Sequence, residues 1–451
     1  MKSNTFKVTC LGVLIVLSIV QTMGLWLGEP LSHNFFGIKN TPTMVLKPIK
    51  PESIWLNTGG EYTQAYRITD SQNEYEGIVE ELQHVLLDYE GFDQVGYSSG
   101  DWASIFNQKG IVYEYSIPVT MDEILGKAVV LPYDYKIHSV FVKLGESSIA
   151  DDTIYFINEI DNYYVTININ STPYEFANIY SLFEVDNSTN IKYQPSIKDI
   201  KAQYIEGNTF LANISEAQPL YYVPIMFRND LLGVDNKMLM LEGYVDQFFE
   251  KPIMKEVKTL YNGVIEFTEP LKSIIRYQDV GVMQYVNLTA TVDPRAMSRL
   301  EAYNLATDFI RGINSIPASL KDNLYLSDVR VSQGAYVFDF DVMYDEHKVC
   351  IGQNLKSMLD ISSAVTVLVK THKVMECKWL TYSIYRAVET SQTKVTEGYA
   401  TPIDKMYANL RTLEIKHPVF ANVELIYNLT AVNTLSNIQW GVNYQGIWYL
   451  P

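Results

Sequence analysis

The sequence predicts an α+β protein: an N-terminal transmembrane helix followed by a multi-domain extracytoplasmic body of antiparallel sheets with a few packed helices. Three observations carry that prediction. From Val8 to Leu27 no residue is charged, and Leu, Val and Ile dominate. Beyond it, short runs rich in Val, Ile, Tyr and Phe recur between turn residues, the pattern of strands joined by hairpins. Amphipathic segments with helix-capping residues stand singly among these runs, never in strict β-α-β alternation, which favours α+β over α/β.

The apolar segment has the length of a membrane anchor. About twenty residues at 1.5 Å rise cover roughly 30 Å, the hydrocarbon thickness of a bilayer. A cleavable signal has a shorter apolar core, about 7–15 residues, and a small-residue cleavage site; here the segment ends in bulky Leu25, Trp26 and Leu27. Lys2 and Lys7 before it and Glu29 after it favour a cytoplasmic N-terminus. Residues 1–7 are then a cytoplasmic tail, 8–28 the anchor, and the proline-rich 29–50 a stalk. Leu11, Leu14, Ile15, Ser18, Gln21, Thr22 and Leu25 fall on one face at helical spacing. Ser18 and Thr22 form a small-xxx-small pair beside the Gln21 amide. Such a face packs against another helix, with a polar contact worth roughly 0.6–2 kcal/mol; alternatively, the two hydroxyls bond back to their own helix and Gln21 snorkels.

Residues 51–130 read as a first α+β domain. "SIWLN" and "GGEYTQAYRIT" are strands around a Gly-Gly turn. In "NEYEGIVEELQHVLLDYEG", Tyr75, Ile78, Val79, Leu82, Val85, Leu86 and Tyr89 share one face of a helix that Gly91 ends. "GIVYEYSIPV" is a strand, and "TMDEILG" opens with a capping box of Thr120 and Glu123. Residues 131–292 form a central α+β domain. Its hairpin "DTIYFINEIDNYYVTININ" turns at Asp161-Asn162, a helix follows Thr172-Pro173, and "NKMLMLEGYVDQFFEKP" is a second helix before a run of short strands. Residues 293–451 form the C-terminal α+β domain. Asp293-Pro294 caps a helix with Leu300, Tyr303, Thr307 and Ile310 on one face; a hairpin turns at Ser332-Gln333-Gly334; a helix is capped at Thr401; and "IQWGVNYQGIWYL" is an aromatic hairpin.

Charge and cysteine content narrow the function. The net charge is −17 overall and −19 beyond residue 28, since Lys2 and Lys7 are the charged side chains before it. So acidic a body repels nucleic acid. Of three cysteines, Cys10 lies in the anchor, and Cys350 and Cys377 are either a bridge or two isolated thiols.

Catalytic patterns are thin, and no catalytic, metal or cofactor residues are assigned. "GYSSG" puts Ser98 in a G-x-S-x-G frame, but the preceding "LDYEGFDQV" is too polar to be the buried strand a nucleophile elbow needs. Ser391 and Lys394 match S-x-x-K without the companion motifs of the serine enzymes that carry it. Six histidines stand singly. In "FDFDVMYDE", Asp339 and Asp341 share a strand face. Without the EF-hand glycine and twelfth-position Glu, this reads as a solvated strand face rather than a Ca²⁺ site.

Several segments in order resemble the YycH (WalH) family: "GLWLGEP", "IKPESIWLNTGGEYTQAY", "IFNQKGIVYEYSIPV", "PLYYVPIM", "FFEKPIMKEV" and "MQYVNLTATVD". "VRVSQGAYVFDFDV", "CKWLTYSIY" and "IQWGVNYQGIWYL" resemble the C-terminal part that the family shares with YycI. The resemblance implies a single-pass protein with an extracytoplasmic body, a YycI-like last part, no enzymatic activity and no cofactor. It implies assembly with YycI and the WalK (YycG) sensor histidine kinase, setting transcription of cell-wall metabolism genes through WalR. The alternative is an extracytoplasmic module that binds a wall polymer or peptide through grooves rich in Tyr and Trp.

Overall fold

The computed structural model describes residues 46–60, 64–69, 73–88, 97–98, 102–127, 135–145, 152–169, 177–183, 191–195, 204–205, 210–289, 296–388 and 392–451. The fold is α+β, with mostly antiparallel sheets and few helices. Among the described residues no helix is long and apolar enough to cross a membrane; residues 8–28, where the sequence predicts an anchor, lie outside them.

The first large sheet uses β1 (Ser53–Asn57), β2 (Ala65–Ile68), β3 (Tyr97–Ser98), β4 (Gly110–Val119), β5 (Ile137–Lys143), β6 (Asp152–Asn158), β7 (Tyr163–Ile169), β8 (Tyr193–Pro195) and β9 (Phe210–Ala212), in the order β3-β7-β6-β5-β4-β1-β2-β8-β9. The hairpin read at Asp161-Asn162 joins β6 to β7, with Asn162 at φ 52°. Asn tolerates that left-handed geometry better than most residues. Helix α1 (Asn73–Asp88) buries Tyr75, Ile78, Val79, Leu82, Val85 and Leu86 of the face that the periodicity predicts, while Tyr89 and the predicted stop Gly91 lie outside the described residues. Helix α2 (Met121–Leu125) starts with the predicted capping box, the Thr120 N–H donating to Glu123 Oε2 at 2.8 Å. Helix α3 (Ala177–Leu182) follows; its predicted cap, Thr172, lies outside the described residues.

Strands β10 (Leu220–Tyr222) and β11 (Ile225–Asn229) then pair with strands far along the chain. Helix α4 (Lys237–Val245) is shorter than the sequence suggests, because Asp246–Phe248 tighten into a 3₁₀ turn. The second large sheet has β12 (Glu256–Thr259), β13 (Ile265–Glu269), β14 (Ser273–Gln278), β15 (Val282–Asn287), β16 (Leu324–Ser332), β17 (Ala335–Tyr344), β18 (His347–Ile351), β19 (Val365–Lys370) and β20 (Lys373–Leu380). β21 (Tyr382–Arg386), β22 (Thr393–Val395) and β24 (Leu435–Ser436) lie outside it, and β23 (Asn422–Leu429), β25 (Ile438–Tyr444) and β26 (Ile447–Tyr449) complete it. Its order is β12-β13-β14-β15-β20-β19-β17-β18-β23-β25-β26, with β16 beside β17, and β18–β23 is a parallel pair.

Helix α5 (Arg299–Gly312) lies across β17, β19 and β20. Its N-cap is Ser298, not Asp293: the Ser298 hydroxyl accepts from the Glu301 N–H, and Glu301 Oε2 accepts from the Ser298 N–H at 2.8 Å. The S-x-x-E box outcompetes the earlier Asp-Pro, since it satisfies two orphan N–H groups at once. Of the predicted face, Leu300 and Ile310 are buried, while Tyr303 and Thr307 are half-buried. Short helices α6 (Ala318–Lys321) and α7 (Gln353–Leu359) precede α8 (Ala400–Thr412), which starts one residue before its predicted cap Thr401 and packs on β25.

Candidate functional site

The two large sheets meet where β4 touches β16 and β9 touches β23. At that joint, four charged side chains from distant segments converge. Glu52, just before β1, and Arg67 of β2 come from the first sheet; Lys348 of β18 and Glu424 of β23 come from the second. Lys348 Nζ lies 2.7 Å from Glu52 Oε1 and 2.9 Å from Glu424 Oε1. Arg67 Nη2 is 3.5 Å from Glu52 Oε1, and Arg67 Nη1 is 3.6 Å from Glu424 Oε2 and donates to the Glu346 carbonyl at 2.9 Å. The side chains of Glu52 and Lys348 are 6% and 12% exposed, so water screens these pairs little.

Aromatic rings frame the quartet. The Arg67 guanidinium lies 5.2 Å over the Trp55 ring, and Lys348 Nζ lies 5.8 Å from the Trp448 ring centre. Trp55 stacks on Phe210 and donates Nε1–H to Glu114 Oε2 at 2.8 Å. Burial alone favours the neutral form of each ionisable group, and partners decide where it ends. For Lys348, burial pulls the pKa down, but Glu424 and Glu52 outweigh it and hold the ammonium well above its ordinary value. For Glu424, burial pushes up, and Lys348 and Arg67 reverse it. For Glu114, burial, then the charges of Glu52 and Glu424, raise the pKa against the opposing pull of Lys348. Burial and then Arg67 push the His347 imidazole down to about 4.

Beside this network lies a cavity of about 380 Å³. Lys50, Pro51, Glu52, Thr69 and Ser116 wall it from the first sheet, and Tyr303, Thr307, Ile310 and Arg311 of α5 wall it from the other side. Residues 321–326, Phe340 and Met343 close it. The Ser116 hydroxyl donates to the Leu326 carbonyl and fixes β4 against β16. Glu52 and Tyr325 belong to both features: each lines the cavity, and Tyr325 feels the charges of Lys348 and Glu52.

The other sequence candidates do not converge here. Leu11, Leu14, Ile15, Ser18, Gln21, Thr22 and Leu25 lie outside the described residues. Ser98 sits in the two-residue edge strand β3, paired with Tyr164. Ser391 is outside the described residues, and Lys394 is exposed on β22. Cys350 and Cys377 are both free thiols. The solvated face expected over Asp339 and Asp341 is corrected at Asp339, which is 5% exposed. The loop before β19 folds over it, and the neighbouring strand adds a third donor: Ser362 Oγ and Ser363 Oγ of the loop and Thr366 Oγ1 of β19 donate to Asp339 Oδ1 at 2.9, 2.9 and 2.7 Å, and Arg330 pairs with Oδ2. Among the described residues no group of three His, Cys, Asp or Glu side chains is placed to hold a metal ion.

No family model matches the chain, and no curated protein is significantly similar to it in sequence. A solved structure is similar in its path: YycH from Bacillus subtilis, with a TM-score of 0.58 at 13% identity, covering 89% of this chain and 95% of that one. The fold is YycH-like. An uncharacterized protein from Eubacterium rectale matches at a TM-score of 0.35 and 12% identity, over 54% of this chain and 90% of that one. The YycH-like path accounts for how the elements are laid out; the chemistry of the joint is read from this chain's own residues.

Proposed function

We propose that this chain is a non-enzymatic, single-pass membrane regulator of a cell-wall-sensing histidine kinase, with a cytoplasmic N-terminus and an extracytoplasmic body, working beside a YycI-type partner. The observation that carries this reading is the YycH-like path over 89% of the chain. The ordered motifs from "SIWLN" to "IQWGVNYQGIWYL" agree with it. Regulation by contact requires contacts that differ between two kinase states, since only a difference in binding shifts an equilibrium. The face of Leu11, Leu14, Ile15, Ser18, Gln21, Thr22 and Leu25 supplies the contact inside the membrane, and the body supplies the contact outside.

Purification of the full-length chain from solubilised membranes tests the reading: a sensor histidine kinase and a second single-pass protein are expected to come with it, and their absence overturns it. Replacing Ser18, Gln21 and Thr22 together by Leu is expected to leave export intact and weaken crosslinking to the kinase. Unchanged crosslinking removes the membrane face from the mechanism. The cavity at the joint favours a second reading, a module for a wall polymer or peptide, which retention on purified cell wall measures.

A further inference from the structure

We propose that the cavity at the joint is a binding site for a small amphipathic carboxylate, its apolar body inside and its carboxylate at the mouth beside Arg311. This deepens the regulatory reading by giving the regulator a chemical input, and rests on that reading only for the effect on the kinase.

Size comes first. A volume of about 380 Å³ falls within the range of small-molecule pockets, roughly 300–1,000 Å³, which favour interfaces between packed units. Here one wall comes from Glu52, Thr69 and Ser116 with the residues just before Glu52, and the other from α5, β16 and β17, so an occupant touches both sheets.

The wall chemistry then selects the ligand. Ile310, Leu326, Phe340 and Met343 are buried apolar side chains on the cavity wall, a surface for a hydrocarbon or an aromatic ring. Glu52 is not open to a ligand ammonium, because Lys348 at 2.7 Å and Arg67 at 3.5 Å already hold it. Lys321 donates to the carbonyls of Ile313 at 2.5 Å and Arg311 at 3.2 Å and so closes the end of α5, with the opposite charge of Asp322 next to it. Lys50 is paired with Glu76. Arg311 differs: Asp308 takes one bond from Nη1 at 3.0 Å, and the side chain is 54% exposed. A guanidinium has five N–H donors in a planar fork suited to a carboxylate. An anion at that fork with an apolar tail on the wall satisfies both halves of the cavity. A fatty acid and the C-terminal end of a short peptide share this chemistry.

Calorimetric titration of the full-length chain in detergent with octanoate and with N-acetyl-Ala-Phe separates the two sources, and the amide of each probe controls for partition into the micelle. Saturable binding is expected for at least one of the acids and not for its amide. Arg311→Gln, an exposed change that leaves the core alone, is expected to weaken binding about tenfold through loss of a charge-assisted pair. Leu326→Trp, which fills the cavity, is expected to abolish binding. No saturation of either acid below about 10 mM, equal binding of acid and amide, or affinity unchanged in both variants overturns the proposal. All these readings are made without the kinase, so failure here leaves co-purification of the kinase untouched, and the converse holds.

Discussion

Replacing Lys348 by Met probes the buried quartet most directly. Met keeps most of the apolar stem, so the change removes a charge with little loss of packing. In the native chain Lys348 Nζ stands 2.7 Å from Glu52 and 2.9 Å from Glu424. At an effective dielectric of about 20, each contact carries roughly 6 kcal/mol of attraction. The variant regains the several kcal/mol of desolvation that the ammonium costs, but two carboxylates then share Arg67 alone, at 3.5 and 3.6 Å. Breaking a buried pair from one side typically costs about 3–5 kcal/mol, and that loss is expected here. Urea unfolding of the full-length chain, followed by tryptophan fluorescence, measures it; Trp55 packs on Arg67 and reports on the joint itself. Adding Glu424→Gln to Lys348→Met removes the orphaned charge and is expected to recover at least half of the loss. A single variant that loses less than about 1 kcal/mol, or a double variant no better than the single, refutes the account of a tightly coupled network.

His347 gives a pH test. Its folded pKa of about 4 lies below the 6.5 of an unperturbed imidazole, so its contribution is complete above about pH 6.5 and is lost as pH falls toward 4, on the order of 3 kcal/mol in all. His347→Gln is expected to flatten that part of the urea midpoint against pH, and an unchanged slope refutes it. Asp339→Asn removes a charge bonded to three hydroxyls and Arg330 and is expected to cost about 1–3 kcal/mol in thermal unfolding; a neutral result refutes the buried network there. Gly281 has φ +84°, and a Cβ there would stand 2.5 Å from Tyr382 Cε1, so Gly281→Ala is expected to cost about 2–4 kcal/mol. Gly233, at φ +75° with nothing within 4 Å, is the comparison: Ala there is expected to cost only about 1 kcal/mol of backbone strain.

What was legible in the sequence is what local rules control. The buried face of α1, the capping box at Thr120, and the hairpins at Asp161-Asn162 and Ser332-Gln333-Gly334 each depend on residues within a few positions of one another. The start of α5 went to Ser298 because two valid caps stood close together and only one closes a reciprocal pair of hydrogen bonds. The joint was illegible for another reason. Glu52 and Glu424 lie near opposite ends of the chain, and no periodicity says that β18 pairs in parallel with β23 or that both approach β2. A faint signal was present: Arg67, Glu114, Lys348 and Glu424 each interrupt an apolar strand. A charge in such a place marks either a solvent face or a buried pair, and a single sequence does not tell them apart.

Glu52 and Tyr325 tie the network to the cavity, and this makes a joint effect separable from plain destabilisation. A buried ion network is a poor source of stability compared with apolar packing; its effect here is to hold the wall that carries Glu52 against the strands that carry Lys348 and Glu424. If that register shapes the cavity, Lys348→Met must weaken binding of the carboxylate although Lys348 does not line the cavity. Gly281→Ala serves as the control. It is expected to cost comparable stability, but at the β14–β15 turn it meets Tyr382 and Asn229 and none of the residues that wall the cavity. The expected outcome is a loss of affinity of several-fold or more for Lys348→Met, with Gly281→Ala close to the native value under conditions where both are folded. Equal affinities in the two variants would mean that the quartet fastens the sheets together without tuning the space between them.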